Sequence, residues 1–117
     1  MFKSVNRDAI IVTPHKKFRD WASFVIPKPP NINYFPDPYT DRWTSIYLIP
    51  DAMKDEEVNE YVKANFQEIF EGELSLWCSE EERWPQQRTW ELFCEWFDVR
   101  HQRAIKDTVN KAIREHY

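Results

Sequence analysis

Near the C-terminal end of this 117-residue chain a histidine stands between two carboxylates: Asp98, His101 and Asp107. A general base needs an orienting carboxylate within hydrogen-bond reach, so spacing decides whether this group could move protons. On a helix Asp98 and His101 share a face; on a strand they point to opposite faces. Only the helical arrangement makes the pair useful, and a half-buried histidine satisfied by backbone is the plainer account. With Arg88 added, Asp98 and His101 would suit a small hydrolase or transferase. His15, in a basic stretch after Pro14, and His116 read as solvated. No serine lies in a Gly-x-Ser-x-Gly elbow, and neither cysteine has a histidine near it in sequence, so nucleophilic catalysis finds no support.

Four tryptophans, Trp77, Trp84, Trp90 and Trp96, fall within twenty residues. Such a cluster can form an aromatic surface for a peptide, a sugar or a base, or it can pack a core. Trp77 and Trp96 lie on stripes expected to be buried. Trp84 and Trp90 fit those stripes less well, and with Arg88 and His101 they form the candidate binding surface. Trp84 also precedes Pro85, where a contact with the first turn of a helix would explain it. A second candidate is the acidic face Glu56, Glu57, Glu60 and Glu68, continued by Glu71 and Glu73. It could mimic phosphates or dock a basic partner; a solvated helix face is the default. Calcium loops need alternating oxygen ligands and a glycine that are missing here. Cys78 and Cys94 are separated by fifteen residues without a CxxC, so neither a zinc site nor a disulfide framework is expected. Both read as reduced, buried thiols. No metal and no cofactor are expected.

Composition narrows the field further. The chain has one glycine where average usage would give about eight, which excludes Gly-rich phosphate loops, Rossmann fingerprints and Walker motifs. Hydrophobic residues at 42% and charged residues at 31% exclude a disordered chain. Its length suits one domain, burying about two-thirds of the unfolded surface. The net charge is −4, but unevenly spread: residues 1–30 hold six basic against two acidic residues, and residues 51–84 hold eleven acidic against three basic. An acidic whole argues against generic binding to nucleic acid or anionic lipid. The longest apolar run near the N-terminus, Ala9 to Val12, is too short for a signal peptide or a membrane span. A cytoplasmic protein with no membrane association is expected.

These residues need elements to position them. Asn6–Thr13 contains the β-branched run Ile10-Ile11-Val12-Thr13 and reads as a strand buried on both faces or nearly so, stopped by Pro14. Phe18, Trp21, Ala22 and Val25 then form one helical stripe, ended by Pro27. Pro27 to Tyr39 holds five prolines and reads as an extended loop, pinned to the core by Tyr34, Phe35 and Tyr39. Trp43–Ile49 is a second strand. The longest helix follows, with Asp55 as N-cap and Val58, Tyr61, Val62, Phe66, Ile69, Phe70, Leu74 and Trp77 recurring at three and four. Phe66 and Phe70 should pack on the strands around Ile11 and Tyr47, and Gly72 should loosen or kink the helix. A third helix starts at Trp84-Pro85, burying Leu92, Phe93, Trp96 and Phe97. A strand from about Phe97 to Arg103 passes into a terminal helix over Ile105–Ile113. The expected fold is α+β, a small single domain (1–117). Its three-stranded, mostly antiparallel sheet packs against a long amphipathic helix and two or three shorter helices.

The segments NRDAIIVTPHKKFRDW, YLIP and WPQQRTWELFCEWFDVRH resemble a family of short, uncharacterised bacterial proteins. The resemblance covers about 80 of the 117 residues and leaves out the proline loop (27–39) and the tail after Ile105. It implies an α+β domain and assigns no functional residues. It draws attention to Asn6, Arg7, Asp20, Trp21, Trp84, Arg88, Trp96 and His101. The expectation that results is a non-enzymatic interaction or accessory protein with another protein as partner. The alternatives are an immunity or inhibitor protein using the acidic helix, or the enzyme built on Asp98, His101 and Arg88.

Overall fold

Alternating burial along one β-branched run organises the sheet. In the computed structural model, which describes residues 1–26 and 43–116, that run lies in β2 (Arg7–Pro14), after a two-residue β1 (Lys3–Ser4). Helix α1 (Lys16–Val25) follows, then β3 (Ser45–Pro50), α2 (Asp55–Ser75), a 3-10 turn at Glu81–Arg83, α3 (Trp90–Trp96), β4 (Phe97–Gln102) and β5 (Lys106–Asp107). The proline loop expected at 27–39 lies outside the described residues. The fold is α+β: a three-stranded antiparallel sheet in the order β3-β2-β4, and a small antiparallel pair of β1 with β5.

Register sorts the side chains. Ile10 stands between Tyr47 on β3 and His101 on β4, and Val12 between Ser45 and Val99. Because side chains alternate, Asp8, Ile10, Val12, Tyr47, Ile49, Val99 and His101 share the face turned to the helices. Ile10 and Val12 are fully buried there, in one core with Phe18, Ala22, Phe70, Leu74, Phe93, Trp96 and Phe97.

Helix α2 spans 21 residues and buries Val58, Val62, Ile69, Phe70 and Leu74, as the spacing predicts. Its cap differs: Lys54 holds the N-cap position and Asp55 is the first helical residue. The Lys54 backbone N–H donates to Glu57 Oε1 at 3.0 Å. Phe70 is fully buried, but on the α3 rings Phe93 and Trp96 and on Phe97. Phe66 is only half-buried and packs its ring on Trp90 and Phe93 of α3, where packing on the strands was expected. Gly72 stays within the helix, and a Cβ there would meet only Tyr47 Oη at 3.6 Å.

Two expectations fail near the C-terminus. Helix α3 starts at Trp90, not at Trp84-Pro85, because Thr89 Oγ1 accepts from the Leu92 N–H at 3.1 Å and caps it there. The tail forms no terminal helix: after β5, residues 108–116 carry neither helix nor strand. Its apolar stripe meets no surface, with Val109 and Ile113 both exposed, and so short a helix is marginal in water without packing. The strand over Phe97–Gln102 is as expected.

Candidate functional site

His101 is held from both sides. Alternation turns Asp8 inward beside it on the neighbouring strand, a diagonal pair within side-chain reach. Asp8 Oδ2 lies 2.6 Å from His101 Nε2, and the side chains are only 6% and 11% exposed. On the other side Asp55 Oδ1 lies 3.2 Å from Nδ1 and also accepts from Arg103 Nη2 at 3.2 Å. Asp55 differs from Asp8 in being 78% exposed. A neutral imidazole can donate through one nitrogen only, so the charged ring is the form that donates to both carboxylates.

This group closes one end of a cavity of about 540 Å³ between the start of α2, α3 and β4. Asp55, Asn59 and His101 stand at its polar end, Val58, Val62, Trp90, Phe93, Phe97 and Val99 supply apolar walls, and Cys94 and Arg100 also line it. Trp90 is half-buried, stacked on Phe93 at 5.7 Å with Lys63 Nζ 6.0 Å from its ring. Cys94 opens on the same cavity. It is an exposed free thiol, not the buried one expected, and desolvation with the nearby Glu91 pushes its pKa up, so it is held as the thiol.

The candidate binding surface therefore divides. Trp90 and His101 line the cavity. Trp84 is buried and donates through its indole N–H to the Cys78 carbonyl at 2.8 Å, which makes it a fastening of the α2–α3 connection. Arg88 donates to the Pro85 carbonyl at 2.9 Å, pairs with Glu71 at 3.3 Å and lies over the Trp84 ring. Asp98 is exposed on the sheet face opposite His101, so the Asp98–His101–Arg88 group is not assembled. Asp107 accepts from the Val109 backbone N–H instead. The acids at His101 are Asp8 and Asp55, 93 and 46 residues away in sequence.

Of the acidic face, Glu56, Glu57, Glu60 and Glu68 are all exposed. Glu73 is not part of it. It is buried and accepts from Ser45 Oγ at 3.0 Å and Tyr47 Oη at 2.5 Å. Helix α2 is thus fastened to the sheet at both ends by carboxylates, Asp55 to β4 and Glu73 to β3. Among the described residues no group of three or more His, Cys, Asp and Glu is placed to hold a metal ion, and no helix is long and apolar enough to cross a membrane. Compared with protein-family models, curated proteins and solved structures, the chain matches none.

Proposed function

We propose that this protein binds a small organic molecule in the cavity beside His101. One observation carries the reading: a space of about 540 Å³ with walls more apolar than polar ends on a histidine that a buried carboxylate fixes in place. Ligand sites have this form, a cavity of about 300–1,000 Å³, mostly apolar, with a few placed polar groups. Asp8 fixes the ring orientation, so a bound molecule would meet Nδ1 at the cavity's polar end. An Asp–His pair in that position can exchange a proton with a ligand, and acid–base chemistry is the activity such a site would support.

The test is a fragment screen by ligand-observed NMR on the full chain and on Val62→Trp, which fills the apolar end. Binding of several fragments to the native protein, lost in the folded Val62→Trp variant, is the expected result. Fragments that bind both equally, or none, would overturn the reading.

A second reading, an accessory protein docking a basic partner, is supported by the full exposure of Glu56, Glu57, Glu60 and Glu68. It predicts that Glu56→Lys combined with Glu60→Lys abolishes binding of a polylysine peptide at about 150 mM salt, where the Debye length is about 8 Å. The broader aromatic platform loses support, because Trp84 is buried.

A further inference from the structure

We infer that the cavity takes a small amphipathic monocarboxylate, an aryl or branched-alkyl acid, whose carboxylate displaces that of Asp55 from His101 and Arg103. The inference rests on the cavity being a ligand site and names what enters it.

Dimensions give the body of the ligand. From Asp55 to Val62 helix α2 rises about 10 Å, and from Phe97 to His101 strand β4 rises about 13 Å. The polar end and the apolar end are separated along both elements: Asp55 and His101 at one extreme, Val62 and Phe97 at the other. A ring with a two- or three-atom chain and one polar head fills that length.

The head follows from the donors. His101 Nδ1 and Arg103 Nη2 converge on one oxygen, Asp55 Oδ1, each at 3.2 Å. Charge-assisted N–H···O⁻ bonds are ordinarily about 2.7–2.9 Å, so with the ring charged both contacts to Asp55 are longer than such bonds usually are. The donor and acceptor sides are not equally fixed. Asp8 anchors the histidine at 2.6 Å in a buried setting, whereas the Asp55 side chain is 78% exposed and can turn into water. What is built into the fold is the His101 donor; Arg103, whose side chain is 62% exposed, and the Asp55 carboxylate are the movable parts. When Asp55 turns away, the charged His101 ring presents a donor at the cavity's polar end, with Arg103, which stands behind Asp55 outside the cavity lining, as a second. That arrangement selects an anion with a planar pair of oxygens over an amine, which would need Asp55 to stay.

Titration calorimetry with a matched trio tests this: 3-phenylpropionate, 3-phenylpropylamine and 3-phenylpropan-1-ol. The acid should bind best. Asp55→Ala should tighten acid binding about tenfold by removing the internal competitor, and Arg103→Gln should weaken it by about the same factor, the effect of one charge-assisted bond. Asp55→Asn, which keeps the shape of the first turn of α2, should also tighten it. Preference for the amine, with amine binding lost in Asp55→Ala, would overturn the inference and leave the cavity as a ligand site. Equal binding of acid and alcohol, unaffected by Asp55→Ala, would do the same. No binding of any of the three overturns the inference, and if the fragment screen is also empty, the cavity reading falls with it.

Discussion

Glu73 carries its carboxylate into the core, where its hydrogen-bond donors among the described residues are hydroxyl groups, from Ser45 and Tyr47. Burial pushes its pKa above the ordinary glutamate value, and the two hydroxyl bonds pull back against that shift. The same contact, with burial as the larger cause, raises the Tyr47 phenol. Between the unfolded and the native pKa, the native state therefore holds a proton on Glu73 that the unfolded chain has released. In the linkage relation such a group makes stability fall as pH rises from the unfolded value, 4.5, through the raised native one. One proton bounds the slope at about 1.36 kcal/mol per pH unit. Glu73→Gln removes that proton exchange. The stability of the native protein minus that of Glu73→Gln should decrease as pH is raised across this window and then level off, as read by urea denaturation at a series of pH values. A difference independent of pH would mean that Glu73 titrates alike in both states.

At the scale of the elements, the one glycine and the one left-handed residue among those described are in each other's place. Ala52 has φ 57° in the turn from β3 into α2, where a Cβ is strained by about 1–2 kcal/mol. Gly72 sits inside α2, where glycine costs about 1 kcal/mol relative to alanine and the space for a methyl group exists. Ala52→Gly and Gly72→Ala should each raise stability by about 0.5–1 kcal/mol. The helix keeps them about 25 Å apart, so the gains should add in the double variant by thermal denaturation. Local signals of this kind are also what the sequence discloses best. The β-branched run of β2, its proline stop and the apolar spacing of α2 depend on neighbours along the chain, and they were legible. The start of α3 and the tail were less so. Thr89 was an available cap signal, yet the tail after Ile105 has a helical apolar pattern with no surface to bury it. The candidate site was half legible. His101 stood out, but Asp98 was the carboxylate nearest in sequence and Asp8 the one nearest in space. Reading β2 as buried on both faces erased the parity that places Asp8 with Ile10 and Val12.

Across the whole molecule the basic N-terminal third is partly neutralised from within. Lys16 pairs with Asp20 at 2.7 Å and Lys17 with Glu95 at 2.9 Å. Exposed pairs of this kind add little stability, but they reduce the positive field that a phosphate backbone would meet. With a net charge of −4, binding to mixed-sequence duplex DNA at about 150 mM salt should be weaker than about 100 µM by fluorescence anisotropy. A micromolar complex at that salt would locate a concentrated basic surface in residues 1–30. Pairing in the sheet has a different consequence, one of timing. Ile10 faces His101 across β2 and β4, and Lys3 faces Asp107 across β1 and β5, so both sheets join segments made about 90 residues or more apart. At about 5–20 residues per second, a ribosome finishes β4 roughly 5–20 s after β2. Through that interval β2 can pair only with β3, and two strands alone are marginal in water. Ile10 and Val12, the most deeply buried residues of the sheet, are therefore covered only seconds after they are made, and over that interval they stay open to contact with other apolar surfaces.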